Sequence, residues 1–111
     1  MAKLSRQQAK RIAKKYIKTL GQKLDVEKAI LFGSAARGTG NEHSDIDIIV
    51  ISHQFKKMDI VKRLVMLARA RGDKFLDWPM DILGYTKEEF EQLSRASSMF
   101  AEAKKEGIAL T

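Results

Sequence analysis

Two short clusters carry side chains that chemistry could use: Gly33-Ser34 and, after ten intervening residues, Asp45-x-Asp47. A glycine at the end of a strand permits a sharp change of direction. A serine after it can open a short helix, whose unpaired N–H groups suit an anion, with the cation of Arg37 close by. If Ser34 served only as a helix cap, Glu or Gln would be expected three residues on, yet Arg37 stands there. Asp45 and Asp47 share one face of a strand, with Cα atoms about 6 to 7 Å apart. Two like charges so placed raise each other's pKa and repel unless a cation or hydrogen-bond donors compensate them. A hard, oxygen-ligated ion is the simplest remedy, and Mg²⁺ is the usual one where phosphates complete the shell.

The elements that must position these clusters follow from the flanking pattern. Residues 26–32, Val-Glu-Lys-Ala-Ile-Leu-Phe, are apolar and β-branched enough for a buried strand that Gly33 ends. From Ser44 a second strand begins, with Ile46, Ile48 and Val50 on one face and Asp45, Asp47, Ile49 and Ile51 on the other. It ends near Ser52.

Together these residues resemble the signature of the DNA polymerase β-like nucleotidyltransferase superfamily. More closely, they resemble the minimal nucleotidyltransferases (MNT), including the MntA-type antitoxins paired with HEPN toxins. The likeness extends to Phe32, Arg37-Gly38, Ser44 and the apolar residues after the aspartates. A set at fixed spacing is a far more specific signal than a lone Asp-x-Asp, and it covers nearly the whole chain. The fold it implies is an α/β (α+β) polymerase β-like palm, a small mixed sheet with helices packed mainly on one face.

A chain of 111 residues is expected to form one domain, 1–111, with a real core and little left for an acceptor-binding lobe. Its parts are a basic amphipathic helix (1–24), the Gly-Ser and Asp-x-Asp core (26–52), and a helix, third strand and terminal helices (53–111). The absence of cysteine excludes disulfides and zinc-thiolate sites and fits a reducing cytoplasm. No signal peptide, membrane span, internal repeat or low-complexity segment is visible. The net charge of +7 is placed at one end: residues 1–28 hold nine Lys or Arg against Asp25 and Glu27, whereas 29–111 hold twelve of each sign. Ala9, Ile12, Ala13, Tyr16, Ile17 and Leu20 form a buried helical stripe that Gly21 stops. Lys10, Arg11, Lys14, Lys15 and Lys18 decorate the outside, read as a solvated face in preference to a nucleic-acid or acidic-partner patch.

Residues 58–71 read as a second long helix, with Val61, Leu64, Val65 and Ala68 as its inner stripe and Ile60 and Leu67 flanking. Arg69, Arg71 and Lys74 suit the negative end of its dipole, and Gly72 and Asp73 break the pattern. Phe75, Leu76 and Trp78 form an apolar cluster for core packing, with stacking on a base or partner as the alternative. Pro79 can open a strand but not occupy its centre, which places residues 80–83 in a third strand. Thr86 and Glu89 form a capping box ahead of Phe90 and Leu93, so Glu88, Glu89 and Glu91 are given no chemistry. Residues 99–106 read as a last helix closed by Gly107, with Ile108 and Leu110 adding an edge strand. His43 and His53 lie at polar ends, where a solvated histidine is expected.

The resemblance also implies roles. A third carboxylate stands beside the Asp-x-Asp strand in this superfamily; Asp81, a lone acid in an apolar run, matches it, and Asp77, of the same parity but ahead of the proline, is the rival. Asp45, Asp47 and Asp81 would be catalytic and would hold two Mg²⁺ ions, while Gly33, Ser34, Arg37 and Ser44 would bind the nucleotide. An ion pair of Arg37 with Glu42 or Asp45 is an equal use of that side chain. The implied activity is transfer of AMP from ATP to a hydroxyl, for MntA-type relatives a tyrosine of the cognate HEPN ribonuclease toxin, which makes the chain an antitoxin. Docking on such a partner, or forming a homodimer or hetero-oligomer, would supply the missing acceptor site. Three other classes stand beside this one: a catalytically silent module that neutralises its partner by contact, a nucleic-acid binder working through the basic helix, and a small-molecule nucleotidyltransferase. Neither the silent module nor the nucleic-acid binder explains two adjacent repelling carboxylates.

Overall fold

The computed structural model describes residues 5–37, 46–73, 75 and 78–111. Its elements run α1 (Arg6–Leu20), β1 (Lys28–Phe32), α2 (Gly33–Arg37), β2 (Ile46–Ile51), a 3-10 helix (His53–Lys57), α3 (Ile60–Arg71), β3 (Met80–Tyr85), α4 (Lys87–Ala96), α5 (Ser98–Glu106) and β4 (Ile108–Ala109). The strands form one mixed sheet in the order β3-β2-β1-β4. β1 pairs antiparallel with β2 and with β4, and β2 pairs parallel with β3. The expected α+β architecture with a small mixed sheet is therefore present.

Alternation along the strands divides the core in two. Ala29 and Leu31 of β1, Ile46, Ile48 and Val50 of β2, and Ile82 of β3 meet the buried residues of α1, α2 and α3. On the opposite face Ile30, Phe32, Ile49 and Ile51 meet Phe90 of α4 and Phe100 and Ala103 of α5. Three helices thus cover one face and two cover part of the other. Asp47 and Asp81 belong by parity to the second, less covered face.

α1 forms as its sequence pattern says. Ser5 and Gln8 close a capping box at its start, and Ala9, Ala13, Tyr16, Ile17 and Leu20 are buried. Tyr16 donates its hydroxyl hydrogen to Leu67 O at 2.9 Å, tying α1 to α3. Burial raises the pKa of that phenol, so it remains a donor across the physiological range.

α3 corrects the sequence reading. It starts at Ile60 with Asp59 as its cap, not at Met58, because residues 53–57 form the 3-10 turn that Ser52 caps. Its buried residues are Arg63, Leu67 and Ala70. The expected inner stripe faces outward: Val61 is 69% exposed, Leu64 46% and Val65 43%, with Ile60 at 67% and Ala68 also exposed. The cause is a cation. Arg63 enters the core with its guanidinium donating to Phe55 O (2.7 Å), Met58 O (3.0 Å), Gly84 O (3.2 Å) and both carboxylate oxygens of Glu89 (2.7 and 3.1 Å). It also sits over the Phe55 ring, 5.6 Å from its centroid. A hydrophobic count places an arginine outside; five hydrogen bonds place this one inside and rotate the helix accordingly.

At the other end of α3, Arg71 answers the carbonyls of Phe75 and Trp78 rather than its own helix terminus. Phe75 is buried against Tyr16, with ring centroids 5.9 Å apart, as the core-packing reading expected. Leu76, Lys74 and Asp77 lie outside the described residues. The capping box of Thr86 and Glu89 is present at the start of α4, and β4 adds the short edge strand after Gly107.

Candidate active site

Register builds the site. In the antiparallel pair Phe32 stands opposite Asp47, and in the parallel pair Asp47 stands opposite Asp81. Neighbouring strands lie about 4.8 Å apart, so the two aspartates are adjacent on one face of the sheet. Asp81 is exposed and Asp47 is half-buried.

The chain leaves β1 directly above Asp47. Gly33 has φ of 77°, the left-handed region where a side chain is strained, and a Cβ there would fall on the Asp47 carboxylate. Gly33 therefore does two things: it turns the chain into α2, and it lets backbone approach a carboxylate. The α2 residues Ala35 and Ala36 are buried, which leaves Arg37 on the outside.

Around the aspartates lies a cavity of about 350 Å³. Its floor is Phe32, Gly33, Asp47, Asp81 and Leu83, and one side is Ala36 with Arg37. Opposite them stands α5, which presents Ser98, Met99, Glu102, Ala103 and Glu106. Those positions recur at three and four residues and so share one helix face. Gly107 keeps that wall close to the sheet, because a Cβ there would collide with Ala103 O and the Ile30 side chain. Arg37 bridges the mouth, donating from Nη1 to Glu102 Oε1 at 2.9 Å, both side chains being about half exposed.

Four of the expected site residues thus meet in one cavity: Gly33, Arg37, Asp47 and Asp81. Ser34 lies next to Gly33 on α2, half-buried, and does not line the cavity. Asp45 and Ser44 lie outside the described residues, as do Asp77, the rival third carboxylate, and Glu42, a candidate partner of Arg37. The partner Arg37 does have, Glu102, is one that sequence reasoning missed, along with the whole α5 wall. The available signal was the i, i+4 pair Glu102 and Glu106, two like charges that repel on one helix face unless something cationic answers them.

The donor set suits a hard cation. Asp47 and Asp81 are carboxylates side by side at an open cavity, and Mg²⁺ is commonly held by one or two carboxylates plus the oxygens of its substrate. Among the described residues no cluster of three His, Cys, Asp or Glu forms a complete protein cage. His53 is away from this site, near Asp25 and Glu27 with Nδ1 3.7 and 3.5 Å from their oxygens, and is exposed as expected.

Comparison with known proteins agrees with this geometry. No protein of curated function matches the chain. Among solved structures, it is similar to a candidate nucleotidyltransferase from Sulfolobus solfataricus: 23% identity, a TM-score of 0.66, and coverage of 94% of this chain and 80% of that one. It is also similar to a mutant of the toxin-antitoxin pair MntA-HpeT: 22% identity, a TM-score of 0.56, and coverage of 87% of this chain and 70% of that one. Residues 11–106 match the family described as "Nucleotidyltransferase domain", from the second turn of α1 to the end of α5. The chain belongs to that nucleotidyltransferase family, as its resemblance to the minimal members of the polymerase β-like superfamily implied.

Proposed function

We propose that the chain transfers AMP from ATP to a hydroxyl on a protein, a tyrosine of a HEPN-type ribonuclease toxin, and so acts as an antitoxin. The observation that carries the reading is the register pairing of Asp47 with Asp81 beneath Gly33, in a cavity whose cation is Arg37. Likeness to a toxin-antitoxin pair, MntA-HpeT, supports a toxin partner, and the two aspartate-to-glutamate substitutions in that structure have the spacing of Asp45 and Asp47.

In this reading Asp45, Asp47 and Asp81 would hold Mg²⁺. When bound, the ion neutralises the phosphates and lowers the pKa of the acceptor hydroxyl. Gly33 lets the triphosphate approach the backbone, and Ser34 and Ser44 donate hydroxyl hydrogen bonds to phosphate oxygens. Arg37 leaves Glu102 for the phosphates, exchanging one anion for another at the cavity mouth. The acceptor oxygen attacks the α-phosphorus, the bond from that phosphorus to the bridging oxygen breaks, and pyrophosphate departs. Asp81, the exposed carboxylate of the pair, takes the hydroxyl proton. The cytoplasm, where ATP and Mg²⁺ are plentiful, is the compartment this chemistry requires.

Calorimetric titration of ATP, with and without Mg²⁺, tests the site. Wild type is expected to bind only with the metal, and Asp45→Asn/Asp47→Asn is expected to fold yet lose at least tenfold in affinity. Co-expression with the toxin tests the role: a double mutant that rescues growth as well as wild type would move the silent binding module ahead of the enzyme.

A further inference from the structure

Of the five large apolar side chains exposed among the described residues, four lie on α3: Ile60, Val61, Leu64 and Val65. At 100° per residue they occupy one continuous arc that adjoins the buried arc of Arg63, Leu67 and Ala70 at Ile60 and runs outward from there. Their combined exposure is roughly 400 Å², the size of the largest patches on ordinary monomers, which are often functional. Nothing in folding requires an outward stripe of this kind, since α3 already buries its other face.

The arc has two different margins. On one side Lys62 and Arg69, both exposed, line its edge. On the other, Ile60 and Leu64 meet Leu83, Gly84 and Tyr85 of β3 around a small concavity of about 30 Å³. Leu83 belongs both to that concavity and to the floor of the catalytic cavity. β3 is an edge strand, so the α3 face and the catalytic cavity adjoin at Leu83. A partner seated on α3 and continued over Leu83 would come to the cavity that holds Asp81.

We propose that the outer face of α3, continued across Leu83, is the surface on which the acceptor protein docks, and that it takes an apolar surface of that protein flanked by carboxylates. The proposal rests on the nucleotidyl-transfer reading above. Position selects this occupant over a second copy of the chain, because the face adjoins the catalytic cavity through Leu83, where an acceptor must arrive. A copy also carries the same exposed Lys62 and Arg69 at its margin, so like charges would meet there. A substrate protein that must leave after modification needs only a transient contact, and an acidic margin on it would be drawn to this one.

The test uses ATP labelled on its α-phosphate, Mg²⁺, and a lysate of the source cells freed of small molecules. Val61→Glu/Val65→Glu is expected to lower protein labelling at least tenfold. Lys62→Glu/Arg69→Glu should lower it severalfold, more at low salt than at high. Both variants should keep wild-type Mg²⁺-dependent ATP binding and melting temperature, and Lys14→Glu/Lys18→Glu on α1 should label as wild type. Full labelling by the two α3 variants at unchanged ATP affinity would overturn the docking surface alone. Labelling of small molecules only would overturn the protein-acceptor reading and the docking surface with it. A wild-type dimer in sedimentation that Val61→Glu/Val65→Glu converts to monomer would assign the face to self-association, against the proposal.

Discussion

α1 and α3 carry the same kind of apolar repeat, and the fold uses the two in opposite ways. In α1 the stripe that spacing picks out is the buried one, from Ala9 to Leu20. In α3 the stripe that spacing picks out, Val61, Leu64, Val65 and Ala68, lies in water, and the buried side is led by an arginine. Amphipathic period locates a helix and its two faces; it does not say which face is inward when the inner one is polar and satisfied. α1 has no such competitor, because each of its cations can be solvated without cost.

The largest expected effect separates the two stripes directly. Leu20, fully buried at the end of α1, is expected to cost about 3 kcal/mol of stability when changed to Ala, through lost transfer free energy and the cavity left behind. Urea unfolding measures it. A loss under about 1 kcal/mol would mean that α1 is packed loosely enough to collapse around the gap, and the contrast with α3 would shrink.

The intermediate effect concerns the residue that turns α3 around. Arg63→Met keeps length and removes charge, leaving the carbonyls of Phe55, Met58 and Gly84 without their donor. The expected cost is about 2 kcal/mol, less than for a fully buried pair because Glu89 is partly exposed and keeps its capping bonds to Thr86. The same substitution should change the acid limb. The hydrogen bonds from Arg63 hold the Glu89 carboxyl below its ordinary value, so this stabilisation is fully present above the ordinary glutamate pKa. It disappears as pH falls through the lowered folded-state pKa. Wild type should therefore lose stability between pH 5 and pH 3 more steeply than Arg63→Met, in about the range where glutamates titrate. Parallel slopes would show that Glu89 contributes nothing to folding through Arg63.

Legibility in the sequence follows the same line. Strand alternation, Gly33, the cap of α4 and the stripe of α1 are local signals, each read within a few residues, and each appears in the fold. The adjacency of Asp47 and Asp81 was readable as parity plus a family resemblance, though only the register puts them side by side. What could not be read is set by partners far along the chain. Arg63 meets Glu89 across 26 positions, and Arg37 meets Glu102 across 65. No window of a single helix contains either pair. The α5 wall left one local trace, the like charges of Glu102 and Glu106, but the cavity it closes is set by residues of β1, β2 and β3 far along the chain.

The smallest expected effect is the sharpest test of the contrast. Val61→Gln and Val65→Gln remove apolar groups from water-exposed positions, so no cavity forms and little transfer free energy is lost. Gln also loses less rotamer freedom in a helix than a β-branched residue does, which favours the variant by a few tenths of a kcal/mol. Each is expected to unfold within about 0.5 kcal/mol of wild type, on the stabilising side if at all. A protein selected for folding alone has no reason to keep valine at these two places, so a neutral result leaves them to be explained by contact with another molecule. A loss above about 1.5 kcal/mol would mean that α3 buries its outer face in solution, and the difference between the two helices would vanish.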